Sequence, residues 1–445
     1  MNKIKQLLLI AFIIRLILPI IAFLASPVYE NFYIHYDSEH YISLAKEIAQ
    51  NGRFYFANQY QLYRTPGYPL FLVPAVLSGN VEWTTIFLQI ILSCGIIYLV
   101  YNVSLLLFKN TSAAYFSALL YTFEPLSILY CSRIMSETLF TFLTYLFLYL
   151  LLCYFEYNLN IYLYLSSIVL VFAIYVRTVL YYFPVILIIT AIIYIIFKWN
   201  QRKKYLLAFS SFFGIIIILV GAWHVRNGLL TGYWGFSIIS DVTIYLFHGS
   251  SVIAEKQNIY LLDAQKQLME YNSNLKSKEK LTLAENYKRL RQEGIRIILN
   301  NPLLFLKAYT KGLFQLMFDA GTADYLHLFH YNAKYLAQVF IKINQNYFNS
   351  IMVLARSSLR LFMLYSLLML ILLLYIVLAG RALFTRKIYW KRETAVFFIM
   401  LLYVFLVSGG VLGNARYRHP IMPGLSILAG YSLHNILLKL HKPAK

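Results

Sequence analysis

Charge is what this sequence has least of. Only 13% of its 445 residues are charged and 60% are hydrophobic, whereas a soluble globular chain carries about 25% charged residues. That shortage excludes water as the main solvent of the fold. Cysteine is nearly as scarce. Cys94, Cys131 and Cys153 lie in or beside apolar runs with no paired spacing, which supports neither a disulfide framework nor a zinc site and leaves them as core thiols. Acids are few, 18 against 39 Lys and Arg, for a formal charge of +21. The basic residues gather in short segments between apolar runs and follow no nucleic-acid-binding module, so nucleic acid is set aside as a partner. The sequence also lacks a repeat of fixed period and a low-complexity linker, so residues 1–445 read as a single membrane domain.

What is present is a series of apolar runs of roughly 20 residues, the length that crosses about 30 Å of hydrocarbon as a helix. A lipid-exposed backbone must satisfy its own hydrogen bonds, so each run is helical. The expected class is an all-α polytopic membrane protein with about ten transmembrane helices (ten to twelve). Spans are predicted near residues 7–25, 84–107, 112–131, 134–155, 160–176, 179–197, 205–222, 356–380, 394–412 and 418–438. The first is read as an uncleaved span and not a signal peptide, because Arg15 interrupts its apolar core and no small-x-small cleavage site follows.

Ten crossings place both termini on one side. Lys3 and Lys5, Lys109, the group Lys198, Arg202, Lys203 and Lys204, the group Arg381, Arg386, Lys387, Lys391 and Arg392, and Lys439, Lys442 and Lys445 all fall on that side. Short cytoplasmic loops are rich in Lys and Arg, so the termini are expected in the cytoplasm of a multi-pass protein of a bacterial inner membrane. Two segments then face outward: residues 26–83 and a larger one near 223–355. The second holds an amphipathic charged stretch, Glu255 to Arg296, and a short apolar helix near 303–318 that Asn300, Asn301 and Pro302 can start.

Ionisable groups in or beside spans are expensive and therefore become functional candidates. Asp37, Glu39, Arg53 and Arg64 lie in the first external segment. Glu124, Arg133 and Glu137 flank the third-to-fourth turn, Arg177 caps the fifth span, Arg226 follows the seventh, and Arg416, Arg418 and His419 open the tenth. Five distant regions are thus expected around one outward cavity. Arginine's planar fork suits phosphate oxygens, and a carboxylate beside it can take the proton of an incoming nucleophile while phosphate departs. The plainer role of such charges is to anchor a helix end at the headgroup layer, and Arg133 and Arg177 are equally open to it, as are Glu82 and Glu156 more strongly. Arg15 either snorkels to the cytoplasm or pairs inside the bundle.

The blocks that hold these residues resemble the superfamily of polytopic glycosyltransferases with the C-type fold, relatives of protein O-mannosyltransferases and of the aminoarabinose transferase that modifies lipid A. YDSEHY supplies Asp37 and Tyr41 of an acidic motif after span one, and YRTPGYP supplies Arg64, Pro66, Tyr68 and Pro69. PLSILYCSRIMSETLF places Glu137 as a second acid, WHVRNG gives Trp223, Arg226 and Asn227, and RYRHPIMP gives Arg418, Pro420 and Pro423. The blocks run from residue 37 to 431 in the family order. Two positions depart from the family pattern: Ser38 stands where protein mannosyltransferases commonly carry a second acid, here found one residue later at Glu39, which weakens the case for protein mannosylation, and Ala222 replaces a frequent Pro.

The resemblance implies inverting transfer of sugar from a polyprenyl-phosphate donor to an acceptor (a lipid-linked glycan, lipid A or a protein) on the non-cytoplasmic face. It makes Asp37 the general base and Glu137 an aid that orients the acceptor or balances the arginines. Arg64, Arg226, Arg418 and Arg416 would hold the donor phosphate, and Tyr41 and Tyr68 carrier or sugar. No spacing requires a metal or other cofactor, although His35, His40, His224 and His419 are external and could join the carboxylates around a divalent ion. Two other readings stand beside the transferase: a polysaccharide polymerase or ligase, and a polyprenyl-lipid flippase or secondary transporter.

Overall fold

A computed structural model describes residues 2–25, 36–57, 59–329, 359–384 and 392–440. Residues 26–35, including His35, and 330–358 of the two expected external segments lie outside the described residues, as do Arg386, Lys387, Lys391, Lys442 and Lys445. Among the described residues the chain is helical apart from one short hairpin, in which Tyr55 pairs with Tyr60 and Phe56 with Gln59.

In chain order the helices are α1 (Asn2–Ala25), α2 (Tyr36–Asn51), α3 (Gly67–Leu77), α4 (Val81–Phe108), α5 (Thr111–Thr122), α6 (Pro125–Tyr130), α7 (Glu137–Tyr157), α8 (Asn160–Val176), α9 (Phe183–Phe197) and α10 (Arg202–Thr231). A second set follows: α11 (Ile239–Val242), a π-helix at Thr243–Gly249, α12 (Ser250–Gln257), α13 (Leu261–Glu279), α14 (Leu283–Asn300), α15 (Pro302–Phe318) and α16 (Thr322–Leu328). The described chain closes with α17 (Leu359–Leu383), α18 (Arg392–Gly409), α19 (Ala415–Arg418) and α20 (Met422–Leu440). Eight of the helical stretches are long and apolar enough to cross a membrane, and α8, at 17 residues, is shorter. The helix from 202 continues to Thr231, beyond the expected end at 222, and α15 coincides with the helix expected near 303–318.

The span expected over 112–131 is divided in two. Its helix stops at Thr122, and Glu124 with Pro125 begins a new short one, since proline is favoured in a first turn but cannot continue a helix. Several of the freed groups are met inside the bundle. Buried Arg15 donates to the carbonyls of Tyr121 (3.3 Å) and Thr122 (3.0 Å) and to the hydroxyls of Ser93 (2.7 Å) and Ser127 (2.8 Å). Glu124 accepts from the amides of Leu126 (3.0 Å) and Ser127 (2.6 Å). A cation thus sits at the C-terminal end of α5, where it complements the helix dipole, and a carboxyl group caps the N-terminal end of α6. Of the two roles expected for Arg15, pairing inside the bundle is the one observed.

Around this break, α5 and α17 pack against α20, while α7 packs against α4 and α8. Tyr68, Phe140, Tyr145, Phe147 and Leu148 are fully buried in the resulting core. The basic clusters at Lys3, Lys109, Lys198 to Lys204, Arg381 and Lys439 lie at helix ends on the side of the chain termini. The N-terminal end of α7 and the C-terminal ends of α8 and α18 lie at the opposite end, where the segment from α11 through α15 is packed over the bundle.

Candidate active site

A cavity of about 520 Å³ lies at that opposite end. Its charged lining comes from four places in the sequence: Asp37 on α2, Arg64 in the turn before α3, Arg177 after α8, and Arg416 on α19. Asp37 falls in the first turn of its helix, where backbone amides favour a carboxylate. Its Oδ1 accepts from Arg64 Nη2, and its Oδ2 lies 2.7 Å from Arg416 Nη2. Arg416 Nε also donates to Glu137 Oε1, which Arg177 Nη1 reaches at 2.5 Å. The five charges therefore alternate along one chain of contacts: Arg64, Asp37, Arg416, Glu137, Arg177.

Burial alone would raise the pKa of Asp37, but Arg416 and Arg64 outweigh it and the net direction is downward. This carboxylate is thus held in its ionised form, with one guanidinium on each oxygen. Tyr41 lines the same cavity, and Arg64 Nη1 donates to its hydroxyl (3.4 Å). The wall facing the charges is neutral. Ser240, Thr243, Ile244, Phe247 and His248, from α11 and the π-helix, form it.

The motif residues that do not touch the cavity explain how it is built. Gly67 starts α3 directly against the end of α8, where a Cβ would fall 2.6 Å from the Tyr175 carbonyl carbon. Thr65 Oγ1 donates to the Val176 carbonyl (3.1 Å) across the same junction, fixing the turn that carries Arg64 beside Arg177. Tyr68 is fully buried and donates to Gln89 Oε1 (2.9 Å), whose amide nitrogen donates to the carbonyls of Cys131 (3.2 Å) and Arg133 (2.6 Å). Tyr68 therefore supports the loop before Glu137. Ser38 Oγ donates to Ile134 O (2.9 Å) and docks α2 on that loop, a bond an ionised acid could not make.

Arg416 is delivered by a tight crossing. A Cβ on Gly312 of α15 would lie 1.7 Å from the Gly410 carbonyl oxygen, and one on Gly413 2.1 Å from the Gly312 oxygen. Backbone touches backbone there, and Ala415 N donates to Asp319 Oδ2 (2.9 Å) at the start of α19.

The comparisons with known proteins bear on this arrangement. Residues 67–223 match the family model described as dolichyl-phosphate-mannose-protein mannosyltransferase. The fold is similar to that of the archaeal oligosaccharyltransferase AglB from Archaeoglobus fulgidus, solved with an inhibitory peptide and a dolichol-phosphate: TM-score 0.52, 14% identity, covering 98% of this chain and 51% of that one. The fold is thus one that this chain shares with part of that structure, and the family match lies within its α3 to α10 region. The chain spans about half the length of the oligosaccharyltransferase it resembles. No curated protein sequence matches it.

The structure brings together part of the predicted set. Asp37, Arg64, Tyr41 and Arg416 meet on the cavity, with Glu137 completely buried behind them. Arg226 lies apart. Its guanidinium stacks on Trp223 (4.7 Å) and donates to Asn227 Oδ1 (2.8 Å), while Asn227 Nδ2 donates to Gly235 O (2.8 Å). The strand of chain held this way meets the Arg64 turn through Ile238 N to Leu62 O (3.1 Å) and Ser237 Oγ to Tyr63 O (2.8 Å). Arg418 is also turned away, donating to the carbonyls of Leu316 (2.7 Å) and Asp319 (2.6 Å) at the end of α15.

Arg133 donates to Asp324 O (2.7 Å) and pairs with His327 Nδ1 (2.8 Å), and Glu39 and Arg53 are exposed. Of the histidines expected outside, His40 meets Gln61 (2.7 Å), His224 meets Tyr181 (2.9 Å), and His419 is buried against Thr141 (2.9 Å). Among the described residues no three His, Cys, Asp or Glu side chains gather where a metal ion could be held. Arg177 is the cavity residue that the sequence undervalued. Its signal was an arginine that ends an apolar run just before Thr178, matched by helix-end anchors everywhere else in the chain.

Proposed function

We propose that this protein transfers a sugar from a polyprenyl-phosphate donor to an acceptor hydroxyl or amine, with inversion, and that Asp37 is the general base. The observation that carries the reading is Asp37 set between Arg64 and Arg416 on the cavity. The donor's phosphate enters among the arginines and takes up guanidinium N–H groups that Asp37 otherwise holds. The carboxylate so released accepts the acceptor's proton. The acceptor oxygen or nitrogen then bonds to the anomeric carbon, the bond from that carbon to the phosphate oxygen breaks, and the electron pair leaves on phosphate, where arginine stabilises it. Guanidinium groups meet the leaving charge, so the scheme uses no metal ion.

The reading puts the cavity on the non-cytoplasmic face, because the basic clusters lie at the other end of the bundle with the termini. A reporter active only outside the cytoplasm, fused after Asn51 or Asn274, should then be active. Dolichol-phosphate in the oligosaccharyltransferase and the mannosyltransferase family description both support a lipid-phosphate donor.

The decisive assay gives radiolabelled polyprenyl-phosphate sugars to membranes carrying wild type or Asp37→Asn. Loss of about 10²–10⁴-fold in release of polyprenyl phosphate, with the protein still folded, is expected for a lost general base. Unchanged turnover in the variant would remove Asp37 from that role. Turnover of no donor by wild type would favour the polymerase or transporter readings.

A further inference from the structure

We propose that Arg177 is a third arginine of the donor-phosphate site and that Glu137 is the residue that positions it together with Arg416. This rests on the lipid-phosphate donor reading above. Both ends of the charge chain, Arg64 and Arg177, are cations that line the cavity, and each meets a single carboxylate. A guanidinium carries five N–H donors in a fixed fork. Arg177 commits Nη1 to Glu137, and its guanidinium is flanked by the rings of Phe140 (5.8 Å) and Tyr417 (5.5 Å). Those rings restrict its swing and leave the rest of the fork toward the cavity it lines.

Glu137 has the opposite placement. Its side chain is 0% exposed, it contributes nothing to the cavity wall, and it occupies the first turn of α7. One oxygen, Oε1, receives both Arg177 and Arg416. A carboxylate in that position has no path to an acceptor proton. It can hold two guanidinium groups side by side, with their outer edges presented together. Two parallel forks match the several oxygens of a phosphate better than one does. When a phosphate displaces Asp37 from Arg416, the bond from Arg416 to Glu137 can persist, so the clamp keeps its aim while the base is released.

The test uses the full chain in nanodiscs, with radiolabelled polyprenyl phosphate lacking sugar as the probe, and donor and acceptor KM measured in parallel. Arg177→Gln should weaken polyprenyl phosphate binding and raise donor KM by about tenfold or more, the loss of a charge-assisted hydrogen bond. Acceptor KM should stay within about twofold. Arg177→Lys should fall between, because an ammonium replaces the charge but not the fork. Glu137→Gln should raise donor KM while the acid-side limb of the kcat profile stays. A proton-transfer role would delete that limb.

If Glu137→Gln does not fold, Glu137→Asp keeps the charge, draws both arginines back, and should still raise donor KM. Wild-type binding of polyprenyl phosphate by a folded Arg177→Gln, or an effect confined to acceptor KM, would overturn the assignment and leave the donor reading standing. Wild type that neither binds polyprenyl phosphate nor turns over any such donor would instead bring down the reading on which it rests.

Discussion

Arg416 and Arg418 are two residues apart on one short helix, yet they belong to different parts of the molecule. Arg416 turns into the cavity and meets the carboxylates of Asp37 and Glu137. Arg418 turns into the protein and meets backbone carbonyls at the end of α15. The same contrast separates Arg64 and Arg177 from Arg15, which serves the carbonyls at the end of α5. An arginine held by a carboxylate can exchange one anion for another when a phosphate arrives. An arginine held by carbonyls cannot, because leaving would strand buried C=O groups that lipid cannot hydrate. The partner, and not the cation, therefore separates the binding arginines from the structural ones.

The largest effect that tests this contrast comes from the neighbouring pair. Arg418→Ala is expected to cost about 1–3 kcal/mol of stability for each buried carbonyl that it strands, and to lose activity only in step with folded protein. Arg416→Ala should stay folded and raise donor KM by about tenfold or more. Thermal unfolding in detergent beside donor kinetics separates the two, and an exchange of these phenotypes would break the comparison.

A smaller effect is expected in pH dependence. Asp37 has its pKa lowered from 3.8 in the free protein, where Arg416 and Arg64 outweigh burial. Its ionic contribution to stability is therefore complete above about that value and is lost only as pH falls through the lowered pKa. Once phosphate takes the arginines, burial remains without its counterweight, and the pKa must rise. The acid limb of kcat, which reports the bound enzyme, should lie at higher pH than that of kcat/KM, which reports the free one. Coincident limbs would mean that the arginines stay on Asp37 throughout.

The smallest effect is expected at Arg226. It supports the Arg64 turn through Asn227 and the 235–238 segment, so Arg226→Ala should change donor KM by about twofold and mildly lower stability. A donor defect as large as that of Arg416→Ala would place it in the phosphate site after all.

The sequence by itself determined the solvent of the fold, its helical class and most of its helices. Long apolar runs with few charges leave a chain no other way to satisfy its backbone in lipid, and that rule needs no tertiary information. It also marked Asp37, Arg64, Glu137 and Arg416 as unusual, because charge beside a span is costly wherever it occurs. Only the tertiary structure decided that 111–130 is two helices, since the break there is supported by Arg15, from another span, which meets freed carbonyls. Only the tertiary structure, likewise, turned Arg416 toward the cavity and Arg418 away. The direction of a side chain on a short helix is set by what packs around it, and here Gly312 and Gly413 let α15 come close enough to claim one of the two.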